Sequence, residues 1–522
     1  MARRRNILFI TTDQQRWDAL GCNGGRVART PAVDALAATG LRFERPHVQN
    51  VVCMPSRATM ITGQYPRTHG VVSNGIALPE STRTVVDVLR DAGYRTGLIG
   101  KAHREPLFDL RGRYTQNQLA SRNSTGPWLG FDHVELAVHS PIPTTHYGRY
   151  LAREHPRALL GFGWIMSGLG GGDTGAPETK INPIPRGLYH TDWVRDGALR
   201  FLRETDEERP WFLWVSFPDP HHPWDPPASE RSRVRWRELD LPGGHPRART
   251  REVLAQKPRH WLDWFEGRFH NPEGGPSSFV PARLSDDQVR EVNALVHVEN
   301  ELIDEAVASL MEQLRTRAMD EHTDVIFTSD HGELQGDFGL LFKGPYHVDA
   351  LLRVPLVWRP APSASVVPAV VQSPVGLVDL APTFCDIAGI TAPEWMEGRA
   401  LPTRDDPSRS FVLTEWDSQF RRVGMHLRTM FEDRWLVTSY LATTRDEGGR
   451  FPLVEATVAR AGVISHYDGS EGELYDVRED PLQQRNLWSD PARRATRDAL
   501  VDALRARLPR GRERPLTVSA PV

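Results

Sequence analysis

Asn6-Ile-Leu-Phe-Ile-Thr-Thr12 runs straight into Asp13-Gln14, and far along the chain Thr323-Asp-Val-Ile-Phe-Thr328 runs into Ser329-Asp330-His331-Gly332. Both are short apolar, β-rich runs that stop abruptly on polar residues, which is the pattern of a buried parallel strand. Two more runs behave alike: Thr96–Ile99, closed by Gly100, precedes Lys101, and Trp211–Phe217 precedes Pro218–His221. Helical patterns separate them. Thr30–Gly40 has Pro31 in its first turn and Gly40 at its close; Arg57–Gly63 follows Pro55; Thr84–Ala92, Trp193–Arg203, the long Asp287–Arg317 and Val375–Ala388 complete the set. This alternation predicts an α/β fold with a large, mostly parallel sheet sandwiched by helices. Ligands gather at the carboxyl ends of such strands. Asp13, Lys101, Pro218–His221 and Asp330 are therefore expected along one edge.

From about Ser410 the pattern changes to Phe411–Glu415, Gly424–Phe431, Trp435–Leu441 and Glu473–Asp476, which predict a smaller C-terminal antiparallel sheet closed by a helix over Arg493–Leu508. The expected division is a catalytic domain over 1–405 and a subdomain over 406–522. Stretches near 104–189 and 224–284 are rich in Gly, Pro, His and Trp without clear periodicity and read as functional insertions. The Arg-rich tail after Leu508 reads as a solvated terminus.

Bulk properties exclude several classes. Of 522 residues, 64 are Lys or Arg and 67 Asp or Glu, for a net charge of −3, so neither a nucleic-acid surface nor a polybasic membrane patch is expected. Three cysteines (Cys22, Cys53, Cys385) make no disulfide framework. The apolar start ends at Thr11, too short for a signal peptide, and no run approaches the roughly 18 residues of a membrane span. The expectation is a cytoplasmic protein.

The densest local signal is Cys53-Met54-Pro55-Ser56-Arg57, continued by Ala58-Thr59-Met60-Ile61-Thr62-Gly63. Around it stand Asp13-Gln14, Gly100-Lys101-Ala102-His103, Pro220-His221-His222-Pro223, Ser329-Asp330-His331-Gly332, Lys343-Gly344-Pro345 and, near the end, Glu473-Leu474-Tyr475-Asp476 with Asp480-Pro481 and Asn486-Leu487. In this order they resemble the motifs of the formylglycine-dependent sulfatases, an alkaline-phosphatase-like family that includes arylsulfatases, choline sulfatases and phosphonate monoester hydrolases. The resemblance covers nearly the whole chain.

It implies that Cys53 is oxidised to formylglycine by a separate formylglycine-generating enzyme. Asp13, Gln14, Asp330 and His331, with position 53, would hold one divalent ion. Calcium is expected first, with manganese and magnesium as alternatives, since carboxylate and amide oxygens suit hard cations. The hydrated aldehyde would offer one hydroxyl to attack sulfur and a second to expel sulfate. Arg57 and Lys101 would hold and neutralise the nucleophile, His103 would be the base, and Lys343 would bind sulfate oxygens. His221, near its free pKa, would protonate the leaving oxygen. The substrate would be a small aryl, alkyl or sugar sulfate.

Gln14 departs from the paired aspartates of many members. It lowers the negative charge of the site and raises the weight of phosphonate monoesters or phosphodiesters as substrates. Two further readings are a non-catalytic binding protein with an unmodified Cys53 and a metal-free Cys/His thiol hydrolase. Among the remaining residues, His222 reads as shaping its loop, and His347 and Asp349 as lining the site or capping a helix. His139, His146 and His190 read as surface residues. Most of the 15 tryptophans are expected to pack, with Trp224 and Trp164 placed where a ring could stack.

Overall fold

The computed structural model describes residues 4–107, 112–166, 171–206, 208–269, 271, 273, 275–276, 278–418, 423–443 and 465–519. In chain order the main sheet is built from β1 (Asn6–Thr12), β2 (Leu41–Phe43), β3 (Arg95–Gly100), β4 (His133–Leu136), β5 (Trp211–Ser216), β6 (Thr323–Ser329), β7 (Leu356–Arg359) and β8 (Ala369–Val371). Their spatial order is β4-β3-β5-β1-β6-β7-β2-β8. β1 pairs in parallel with both β5 and β6, and only β7 runs against its neighbours. Alternate residues of β1 enter two cores. Ile7 and Phe9 pack with α2 (Cys53–Thr62), α3 (Val85–Asp91) and α6 (Leu380–Ile387), whereas Leu8 and Ile10 pack with α1 (Pro31–Ala38), α4 (His190–Arg203) and α5 (Asp286–Thr316). That alternation is the two-sided burial expected of a central parallel strand.

A separate antiparallel sheet follows, made of β9 (Phe411–Asp417), β10 (His426–Glu432), β11 (Trp435–Tyr440) and β12 (Gly472–Asp476) in that spatial order, with α7 (Arg494–Arg507) against it. Val412, Leu427 and Tyr475 extend the apolar cluster that contains α2, so this sheet shares a core with the main body. Among the described residues no helix is long and apolar enough to cross a membrane.

Several sequence expectations are corrected here. The helix expected from Arg57 starts four residues earlier, at Cys53. Pro55 lies in its first turn, where a missing N–H costs nothing. The helix expected over Val375–Ala388 is a two-residue strand, Val375–Gly376, and a tight turn before α6 begins at Leu380. Gln49 Oε1 accepts from Val378 N at 2.9 Å, taking up one of the backbone donors that a helix start leaves unpaired. The stretch 104–189 is not structureless: it supplies β4 and the helices His146–Glu154 and Pro156–Met166. The Arg-rich tail is exposed over 510–515, as a solvated terminus should be, yet it is tied to the body. Arg512 N donates to Arg67 O, Ser519 N donates to Gly75 O, and Leu516 and Val518 pack on the main core.

Candidate active site

The four central strands β3, β5, β1 and β6 deliver Lys101, the Pro218–His221 turn, Asp13 and Asp330 to one edge of the sheet. α2 faces them with Cys53 as its first residue. Ser56 Oγ donates to Asp330 O at 2.6 Å and ties the start of that helix to the end of β6. Gly100 is required where it stands: its φ is +110°, and a Cβ there would lie 1.8 Å from Ser216 O. The left-handed glycine lets the chain hug β5 as Lys101 turns into the site.

Asp13, Cys53, Asp330 and His331 present ligand atoms that all lie within 4.8 Å of one another, and all four side chains are buried. Cys53 Sγ is 3.1 Å from His331 Nε2 and 3.7 Å from Asp13 Oδ1. His331 Nε2 is also 3.7 Å from Asp13 Oδ1 and from Asp330 Oδ1. Each carboxylate divides its two oxygens between two tasks. Asp330 Oδ2 accepts from Arg57 Nε at 2.7 Å, and Asp13 Oδ2 takes Arg57 Nη2 at 3.3 Å and the ammonium of Lys101. The Oδ1 atoms face the cluster, that of Asp330 while also accepting from Gln14 N at 3.1 Å. His331 donates from Nδ1 to Gly332 O at 2.9 Å, which leaves the Nε2 lone pair pointing inward. This is how a metal-binding histidine is oriented by its other nitrogen. The donor set fits a divalent cation.

Arg57 is fully buried and spends its donors on these carboxylates, on Lys101 O (2.7 Å) and on Ser216 Oγ (2.8 Å). It therefore arranges the ligands, and no bond from it reaches the Cys53 sulfur among the described residues. Lys101 Nζ is the nearer cation, 3.9 Å from that sulfur. Burial alone would raise the Asp13 pKa, but Lys101 and then Arg57 hold it well below the usual carboxylate range. Burial, helped by Asp13, pushes the Cys53 thiol up to about 12, so an unmodified side chain here is a neutral, weak nucleophile.

The opposite wall centres on Lys343. Its Nζ donates to Gln14 Oε1 at 2.7 Å and to His221 Nε2 at 2.9 Å. Gln14 Nε2 donates to Glu333 Oε2 at 2.6 Å and lies 3.2 Å from His222 Nδ1. Glu333, buried directly after Gly332, was not singled out in the sequence, although its place beside Asp330-His331 was the available signal. It fixes which way the Gln14 amide points.

His221 Nδ1 donates to His222 O at 2.5 Å, so both of its nitrogens are engaged. Burial, then Lys343 and His222, hold its pKa well below the free value, which corrects the expectation of a histidine titrating near neutrality. His103 is buried with neither ring nitrogen bonded to any described residue. Burial, then Lys101 and Arg57, keep it neutral. Gln14 (φ 66°), His103 (φ 51°) and Phe342 (φ 69°), the residue before Lys343, hold left-handed backbone without being glycine. Such strain persists where surrounding contacts over-determine it, as at binding sites.

The outlying histidines divide. His139 stacks on His221, with ring centroids 4.5 Å apart at 13°, and its Nδ1 is buried without a partner among the described residues. It belongs to the site. His190 is buried, with Nε2 2.5 Å from Asp219 Oδ1, and so braces the loop that carries His221. His146 bonds Leu136 N and Ser124 O and serves the fold. None of the three is the surface residue expected. His347 is tied to Thr429 and Asp349 to Arg45. Trp224 is fully buried and stacked on Phe342, so it packs and offers no open face. The side chain of Trp164 lies outside the described residues.

Comparison with known proteins agrees with this geometry. Residues 5–390 match the family described as Sulfatase. The chain is 27% identical to an arylsulfatase of Clostridium perfringens, covering 92% of this chain and 90% of that protein. It is 26% identical to the multifunctional alkaline phosphatase superfamily protein PehA of Trinickia caryophylli, covering 97% and 95%. A crystal structure of a phosphonate monoester hydrolase of Agrobacterium radiobacter superposes with a TM-score of 0.75 at 23% identity, covering 96% of each chain.

Proposed function

The chain belongs to the sulfatase family, and from that premise we propose that it hydrolyses a sulfate ester with a nucleophile made from Cys53. The observation that carries the reading is the inward ring of Asp13 Oδ1, Asp330 Oδ1, His331 Nε2 and the side chain of position 53. With sulfur at position 53 this donor set is mixed in hardness. With an oxygen there, as in hydrated formylglycine, it suits a hard ion such as calcium, manganese or magnesium. A divalent cation held by Asp13, Asp330, His331 and position 53, with Gln14 beside it, would supply Lewis acidity and draw two anions together. Formylglycine would supply a carbon carrying two hydroxyls, which a thiol pushed up to about 12 does not replace.

The chain's own groups do the rest. Arg57 orients the two carboxylates, and Lys101 neutralises charge beside position 53. His103, neutral and with neither ring nitrogen bonded among the described residues, would take a proton at one of them. Lys343 uses two ammonium hydrogens on Gln14 and His221, which leaves one for a sulfate oxygen. The proton held between Lys343 Nζ and His221 Nε2 is available to the leaving oxygen.

A second reading, hydrolysis of phosphonate monoesters or phosphodiesters at the same site, is favoured by Gln14, whose uncharged amide stands beside Asp13. One preparation, made in cells that contain the maturing enzyme, tests both. The expected result is an oxidised residue 53 in the peptide mass spectrum, turnover of nitrophenyl sulfate above that of a nitrophenyl phosphonate, and none in Cys53→Ala. An intact thiol without turnover points to a binding protein, and faster phosphonate cleavage reverses the ranking.

A further inference from the structure

Lys343 reaches both Gln14 and His221 from the end of a flexible four-carbon stem, so the place of its ammonium depends on how firmly its backbone is held. The stretch near 224–284 does most of that holding. Asn271 is fully buried; its Nδ2 donates to Lys343 O at 2.6 Å and its Oδ1 accepts from Glu273 N at 3.1 Å. Gly344 is moulded on the same side chain: its φ is +129°, and a Cβ there would lie 2.5 Å from Asn271 Oδ1. His260, also fully buried, donates from Nε2 to Pro345 O at 2.9 Å, while its Nδ1 accepts from the Tyr467 hydroxyl at 2.6 Å. A carbonyl can only accept, which fixes the proton on Nε2. Burial holds the His260 pKa down to about 3, so this arrangement does not change with pH near neutrality. The ring stacks on Tyr346, with centroids 5.1 Å apart at 25°, and Phe342 stacks on Trp224. Every residue from 342 to 346 thus meets a side chain of this one segment. Among the described residues neither Asn271 nor His260 bonds a candidate metal ligand.

We propose that Asn271 and His260 are positioning residues for Lys343, clamping the carbonyls of Lys343 and Pro345 so that one ammonium meets Gln14, His221 and the sulfate of the substrate together. The inference rests on the sulfate-ester reading above for what that ammonium does. A shift of about 1 Å would loosen both bonds it makes, and misplacements of that size cost on the order of a hundredfold in rate. The excursion of the chain between 224 and 284 is then a scaffold for one catalytic cation.

A double-mutant cycle with Lys343 tests the proposal in the mature full-length enzyme. Asn271→Ala should lower kcat/KM for nitrophenyl sulfate about tenfold or more and weaken binding of inorganic sulfate, yet change neither beyond about twofold in a Lys343→Ala background. His260→Phe should behave as Asn271→Ala does. His260→Gln, whose amide can still donate to Pro345 O, should recover most of the loss. The rise in melting temperature with calcium should be equal in all of these single variants, because no metal ligand is touched, and the same melts verify folding. Equal losses in both backgrounds, no loss in either, or a His260→Gln as damaged as His260→Phe overturns the proposal. If the wild type neither cleaves the ester nor binds sulfate, the sulfate-ester reading is what fails. Faster hydrogen exchange over 341–346 in Asn271→Ala then still upholds the anchoring of Lys343, and unchanged exchange ends it.

Discussion

His221 illustrates what one side chain can and cannot do in this setting. It is neutral, pinned at Nδ1 by His222 O and at Nε2 by Lys343, so any proton it passes to a leaving oxygen comes from that shared bond. His221→Ala should therefore slow an alkyl sulfate, whose alkoxide needs a proton, about tenfold or more beyond its effect on nitrophenyl sulfate. Equal losses on the two substrates would remove the acid role. At this scale the residue types were legible in the sequence, because Asp13, Cys53, Asp330 and His331 stand directly after strands or in the C-x-P-S-R run. Their directions were not. Nothing local tells Asp330 to turn Oδ2 to Arg57 and Oδ1 inward, or Gln14 to adopt φ 66°.

The elements differ in how well their own sequence announces them. β1 and β6 were read to within a residue because both faces of a central strand are buried, which makes the whole run apolar. β2, β7 and β8 are three or four residues long and lie toward one side of the sheet, where so short a run carries no period. The C-terminal tail is solvated over 510–515, as its composition announces, yet it also pairs by backbone groups, which composition does not record. It crosses the 66–75 stretch, where Arg512 bonds Arg67 and Ser519 bonds Gly75, and Gly75 N in turn donates to Met54 Sδ at 3.2 Å beside Cys53. Truncation after Leu508 should leave the far-UV spectrum intact, speed hydrogen exchange over 66–75 and raise KM by roughly tenfold. Unchanged exchange in that stretch would show that the strap supports nothing.

Across the whole molecule, the candidate metal ligands come from three distant segments, with Cys53 and His331 separated by 278 positions. A cation bound there would cross-link β1, α2 and β6, and an ion at a hundredfold excess over its Kd would stabilise the fold by about 2.7 kcal/mol. Chelation should lower the melting temperature, calcium should restore it, and Asp330→Asn should abolish both responses. A melt indifferent to chelator in the wild type would count against a resident ion.

By itself the amino-acid order determined the layered α/β architecture, the strand ends that carry chemistry and the family, since those depend on periodicity and on short contiguous motifs. Tertiary structure alone decided the shared core of the two sheets, the stacking of His139 on His221 and the path of the tail. Each of these is a contact between side chains or backbone groups remote in sequence. Long-range packing chooses such contacts, and local pattern does not encode them.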